Sequence, residues 1–212
     1  MAGKVLKMRN DLVKLAFLVI LALTVTSATF WLDAGGNPAF AESSVGQAMP
    51  AFTLPDLDGK EHSLAQYKDK VVVIEFCSFA CPYSRGTDPD LIALAQTYAP
   101  KGVVLLGIDS HSTNAVADIK KYAAEKGKTY PILKDEGNRY ADAVGAKTTP
   151  EVYVIGRDGK LAYHGAFDDR AQPDKKGRTQ YVENAVKAAL DGKAAEPKEV
   201  KSWGCSIKRV AK

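Results

Sequence analysis

The chain has 212 residues, 46% of them apolar and 8% aromatic, with a formal charge of +4. That size and composition suit one domain of ordinary size plus a segment at an end. The weak charge, with no Lys/Arg stripe interleaved with aromatics, argues against a nucleic-acid binder. The additional segment comes first. Lys4, Lys7, Arg9 and Lys14 precede an uncharged run at residues 15–32, "LAFLVILALTVTSATFWL", and Ala39-Phe40-Ala41 has the small-x-small form of a cleavage site. Residues 1–41 are therefore expected to be a signal peptide or, since an uncharged run of eighteen residues can just span a bilayer, an N-terminal membrane anchor. Either way the rest of the chain is expected in the periplasm or another extracytoplasmic space, touching a membrane only through that segment. Removing its four basic and two acidic residues leaves 25 Lys+Arg against 23 Asp+Glu, or +2.

No internal repeat is visible, and composition shifts near residues 43 and 193 bound a domain at 43–192 and a tail at 193–212. In chain order, "PAFTLPDLDGKEHSL" reads as two short strands around the turn Asp56-Leu57-Asp58-Gly59. "KVVVIEF" is a continuous β-branched run, the pattern of a central strand covered on both faces. A helix is expected over about 88–98, with Leu91, Leu94, Ala95 and Tyr98 at helical spacing and Pro100 ending it. "GVVLLGID" is a second buried strand, reached by a right-handed crossover. Residues 114–126 read as a helix, "YPILKD" as an edge-like strand, and "NRYADAVGA" as a short helix closed by Gly145. "PEVYVIGRDGKLAYHG" is a hairpin, and a last amphipathic helix presents Tyr181, Val182, Ala185, Val186, Ala189 and Leu190 before Gly192. The fold class is α/β, a mixed sheet flanked by helices with an N-terminal β-hairpin extension. The late lysines, Lys193, Lys198, Lys201, Lys208 and Lys212, read as a solvated tail.

The chemistry is expected in "EFCSFACPYSR". Pro82 suits the first helical position, because no amide partner is needed there, and this makes Cys81 the cap residue. First-turn amides and the positive helix end then favour a thiolate at Cys81, help that Cys77 at the strand end lacks. The chain has three cysteines, Cys77, Cys81 and Cys205, an odd number that leaves a thiol over or lets the pairing change during function. Cys77 is near Cys81 in sequence. Cys205 reaches it only if the tail folds back, and "SWGCSIKR" has a Trp and an Ile that could dock it.

The sequence "GQAMPAFTLPDLDGKEHSLAQYKDKVVVIEF", then Cys-Pro, then "TTPEVYVIGRDGKL", resembles the redoxin branch of the thioredoxin superfamily, over about residues 45–192. That branch includes the alkyl hydroperoxide reductase/thiol-specific antioxidant proteins and the periplasmic thioredoxins. The resemblance implies a thioredoxin-like fold, Cys81 as nucleophile, and Pro150 after Thr149 as a cis-proline beside the disulfide, the alternative being a trans proline at a strand start. Ser84 stands where a thioredoxin has its second cysteine, so the resolving thiol is Cys77, Cys205 or an external thiol. Thioredoxins have an acidic residue at the place of Glu75; a desolvated carboxyl there would exchange a proton with a cysteine through water, unless strand phase turns it to solvent. Ser78 lies where peroxiredoxins place a peroxide-binding Thr. Arg85 is a nearby base, and no distant Arg beside the nucleophile is evident. His111 is expected at the same sheet edge as Cys81, while His62 and His164 read as structural or surface groups.

The resulting expectation is an exported thiol-disulfide oxidoreductase, with no cofactor and no metal, acting through Cys81 on protein or small-molecule thiols and disulfides, or on peroxides. Thr149-Pro150 favours the thioredoxin-like version, since it borders a groove for an extended peptide. Ser78 and Ser84 favour the peroxidase version. A Sco-type copper chaperone using Cys77 and Cys81 is the alternative; its expected His before the late hairpin strand is here Thr148, so His111 or His164 would have to substitute.

Overall fold

The computed structural model describes residues 43–211, and the signal or anchor expected at 1–41 lies outside the described residues. Elements follow as β1 (Thr53–Pro55), β2 (Glu61–Ser63), β3 (Val71–Phe76), α1 (Pro82–Tyr98), β4 (Val103–Asp109), α2 (Val116–Lys126), β5 (Ile132–Lys134), α3 (Arg139–Val144), β6 (Thr148–Thr149), β7 (Glu151–Ile155), β8 (Leu161–Gly165), α4 (Tyr181–Leu190), β9 (Glu199–Val200) and β10 (Cys205–Ser206). Six strands form one mixed sheet in the order β5-β4-β3-β7-β8-β9. β3 pairs parallel with β4 and antiparallel with β7. β1 and β2 form the expected N-terminal hairpin.

Every residue of β3 is buried because both faces of the sheet are covered. Val71 and Val73 pack with Leu91 and Leu94 of α1, Ile119 of α2 and Val182 and Val186 of α4. Val72, Ile74 and Phe76 face the other way, onto Tyr140 and Val144 of α3 and Met49 and Phe52 near the hairpin. Strand alternation then sets Glu75 on the face of Val71 and Val73, beneath α1.

α1 begins at Pro82 rather than near residue 88 and runs through Gly86 and Pro89 to Tyr98. Arg85, whose carbonyl loses its helical partner to Pro89, is on the exposed side. Gly86 is required by a close approach, since a Cβ there would lie 1.8 Å from the Pro173 carbonyl oxygen. The segment expected to be a solvated tail instead adds β9 to the sheet beside β8 and pairs β10 with β6.

Candidate functional site: a thiol pair at the sheet's carboxyl end

Cys81 has extended backbone (φ −90°, ψ 120°) and caps α1, with Pro82 in the first turn. Its side chain is 1% exposed. As a thiol it donates to the Thr149 carbonyl oxygen at 2.9 Å. Burial opposes its ionisation, but hydrogen bonds to the sulfur from the Cys205 thiol, the Thr149 side chain and the amides of Ser84 and Cys205 outweigh it, so its pKa lies below the ordinary thiol value. The Thr149-Pro150 bond is cis.

The two candidate partner cysteines lie in different surroundings. Cys77 is buried in the cluster beneath α1, and a Cβ on Gly107 would sit 3.3 Å from its sulfur. Burial, with Glu75 nearby, pushes its pKa well above the ordinary value. Cys205 is half-buried on β10, directly opposite Thr149 in the antiparallel register, and within hydrogen-bonding reach of the Cys81 sulfur. Burial and the neighbouring Cys81 sulfur raise its pKa to about 11. All three cysteines are free thiols.

Glu75 is fully buried. Burial is the main cause of a pKa raised to about 8; Asp88 and Cys81 push the same way, against Lys128 and a hydrogen bond from Thr87. Thr87 Oγ1 donates to Oε1 at 3.5 Å, while Oε2 has no hydrogen-bond partner among the described residues. Beside it lies a pair that sequence reasoning did not single out: Lys128 Nζ faces Asp88 Oδ1 at 2.5 Å, both side chains under 5% exposed. Gly127 closes α2 in the left-handed conformation and the Lys128 amide returns to the Ala123 carbonyl at 3.0 Å, the C-terminal motif that turns the chain back. Tyr122 donates to Asp88 Oδ2 at 2.6 Å.

The loop between Cys77 and Cys81 rests on a second polar network. The Ser78 hydroxyl oxygen accepts from the Ala80 amide at 3.2 Å and from Asn114 Nδ2 at 3.0 Å, and the Ser78 amide donates to Ser84 Oγ at 3.3 Å. Asn114 also donates to Asp109, which Lys134 neutralises from β5 at 3.1 Å. Neither Asn114 nor Lys134 carried a sequence signal, because their role depends on strand order. Arg85 is exposed and its charge bears on Tyr122. Arg170, the buried arginine of the loop after β8, is engaged by Asp168, Asp90 and the Gly86 carbonyl.

The histidines serve other partners. His62 lies between Tyr67 and Asp56, His164 between Glu151 and Glu199. His111 is buried at the end of β4 and accepts from the Lys208 amide at 3.4 Å; burial lowers its pKa. Among the described residues no group of three or more His, Cys, Asp and Glu could hold a metal ion, so the copper-chaperone alternative finds no ligand set there. No described helix is long and apolar enough to cross a membrane.

Comparison with known proteins agrees with this architecture. A thiol-disulfide oxidoreductase ResA of Geobacillus thermodenitrificans is 28% identical over 143 residues, 68% of this chain and 81% of that protein. A chloroplastic peroxiredoxin Q of Populus jackii is 30% identical over 151 residues, covering 66% and 67%. The crystal structure of a hypothetical protein of Sinorhizobium meliloti superposes with a TM-score of 0.76 at 31% identity, covering 81% of this chain and 98% of that one. Residues 45–164 match the AhpC/TSA family, and the chain, thioredoxin-like in fold and a member of the redoxin branch, belongs to that family.

Proposed function

We propose that the protein is a thiol-disulfide oxidoreductase in which Cys81 is the attacking thiolate and Cys205 the resolving thiol. The observation that carries this reading is the pairing of β10 with β6, which brings Cys205 to the Cys81 sulfur. With a disulfide RSSR, the Cys81 thiolate forms Cys81–S–S–R and releases one RS⁻. Cys205, losing its proton, then attacks the Cys81 sulfur, closes the Cys81–Cys205 disulfide and releases the second RS⁻. With a hydroperoxide ROOH, Cys81 becomes a sulfenic acid and releases ROH, and Cys205 condenses with it to the same disulfide and water. In both cases the protein loses two electrons to the oxidant, and an external dithiol restores them.

The electrostatics order these steps. While Cys81 is a thiolate, its charge helps hold the Cys205 proton in place, near pKa 11. Oxidation removes that charge, so Cys205 ionises more readily once its target exists. Glu75, near pKa 8, is suited to exchange a proton with the sulfur chemistry at neutral pH. Thr149 and Pro150 frame the sulfur, Ser78 fixes the loop, and Cys77 has packing as its main role. An export signal or anchor at 1–41 places this chemistry outside the cytoplasm, with protein or small-molecule thiols and disulfides, or peroxides, as reactants.

The test is peptide mapping without reductant, after oxidising the full chain with one equivalent of a small disulfide or of hydrogen peroxide. A Cys81–Cys205 link with Cys77 left as a thiol is expected, and Cys81→Ser should abolish turnover. A Cys77–Cys81 link would overturn the assignment.

A further inference from the structure

Extended peptides bind proteins by adding a strand to an exposed edge, where main-chain groups supply affinity and side chains fall alternately into pockets. Thr148–Thr149 is such an edge, directly beside the Cys81 sulfur, and in this chain its place is already taken. Cys205 pairs with Thr149 and Ser206 with Thr148. The adjoining Gly204 has φ +126°, and a Cβ on it would lie 2.1 Å from the Thr149 carbonyl oxygen and 3.2 Å from Pro150 Cδ. The backbone therefore passes as close to the cis-proline as a chain can.

The segment is anchored at both ends of this crossing. On one side Trp203 packs against the apolar cluster beneath α1, its ring centroid 5.3 Å from that of Tyr83, and its indole N–H donates to the Asp168 carbonyl at 2.9 Å. On the other side Ile207 enters the opposite cluster, with Phe76 and Tyr140. Beyond it, Ser112 donates its amide to the Lys208 carbonyl at 3.0 Å, Arg209 pairs with Asp142, and the Val210 amide donates to Asn138 at 2.9 Å. Residues 203–210 thus straddle the carboxyl end of the sheet and close over Cys81.

We propose that this strap determines specificity: by occupying the peptide edge it makes Cys81 selective for small disulfides and hydroperoxides over protein disulfides. The proposal rests on the oxidoreductase reading above and narrows its substrate class. A small oxidant reaches the sulfur through local opening, whereas a protein disulfide needs the whole strap to lift, which breaks both apolar anchors and the β10 pairing at once.

The test measures the rate of Cys81 modification in the full chain by 4,4′-dithiodipyridine and by oxidised insulin, and takes the ratio of the two. Two variants lift the strap by different means: Gly204→Ala places a methyl against Thr149, and a stop after Lys201 removes the segment. The ratio of rates corrects for any change in thiolate content. The insulin-to-pyridine ratio should rise at least about 10-fold in a folded strap-lifted variant, since one lost anchor alone corresponds to more than a tenfold change in opening. An unchanged ratio in the truncated chain, with the pyridine disulfide still modifying Cys81, overturns the strap proposal alone. Turnover that survives Cys81→Ser overturns the oxidoreductase reading itself. Should the truncated chain fail to fold, the full chain decides with glutathione as the unhindered reference thiol: an insulin-to-pyridine ratio at Cys81 equal to that of glutathione overturns the proposal, and one at least about 10-fold lower supports it.

Discussion

A carboxyl buried among apolar side chains is a burden to the fold whenever it is ionised, and Glu75 lets that burden be measured. Its pKa rises from 4.5 in the unfolded chain to about 8 in the folded protein, mainly through burial. Between these values the folded state holds a proton that the unfolded state has released, so stability falls as pH rises across this window. The displacement corresponds to about 5 kcal/mol by pH 8 and above, at about 1.4 kcal/mol per pH unit. Glu75→Gln keeps the shape and cannot ionise, so the variant should match the native chain at pH 4 and exceed it in stability at pH 8.5.

The assay is urea or thermal unfolding of both proteins at pH 4, 6 and 8.5, read as the difference between them so that other titrations cancel. A gap in melting temperature of roughly 10–20 °C should open between pH 4 and 8.5, at 2–4 °C per kcal/mol for a domain of this size. The same substitution should slow Cys81 turnover by on the order of 10²-fold, the usual yield of a positioned proton carrier. Parallel pH profiles for the two proteins would refute the burial reading, and unchanged turnover would remove Glu75 from the chemistry.

Two other predictions come from the framing of the same sulfur. Glu151 accepts from His164, Tyr153, Thr148 and the amides of Lys147 and Thr148, and these bonds overcome burial to hold its pKa at about 2. The stability this confers is complete above about pH 4.5 and is lost as pH falls toward 2, so Glu151→Gln should lower neutral-pH stability by about 3 kcal/mol and flatten the acid limb of an unfolding profile. For Cys81, the pH midpoint of alkylation should lie below the ordinary thiol value of 9.0. Cys205→Ala should move that midpoint upward by removing a donor to the thiolate, and an unmoved midpoint would show that Cys205 does not touch the resting sulfur.

The legible parts of this protein were those set by local chemistry. A Pro directly after Cys81 marks a helix cap whatever lies around it, and the strand cores, the Gly145 helix end and the order of elements follow from periodicity and turn residues. Other features depended on tertiary context. "KVVVIEF" is apolar on both faces because both faces are covered, so it carries no phase, and the same pattern would suit Glu75 in solvent or in the core. α1 shows the opposite case: it starts at Pro82, well before the expected residue 88, and the approach of Pro173 and the exposed setting of Arg85 make Gly86 and Pro89 acceptable within it. The tail was harder still. Its lysines suggest a solvated end while its Trp and Ile offer a means of docking, and the structure seats Trp203 and Ile207 in two separate apolar clusters.

The two features that conflict most with local preference, the carboxyl inside β3 and the strand at 205–206, both act on Cys81, the first through its charge and the second by direct contact. Each conflicts with what stabilises its own segment: a carboxyl does not belong in a covered strand, and a lysine-rich end gains little by docking. Where local preference is overridden in this way, other interactions must hold the arrangement in place. Here they are the Thr87 bond and the nearby Lys128 for Glu75, and the β6 pairing with its two anchors for Cys205. A substitution confined to those supports, such as Lys128→Met, therefore disturbs the proton on Glu75 without touching any sulfur. It removes the charge that lowers the Glu75 pKa, so the pH window of instability shifts upward in the same unfolding assay.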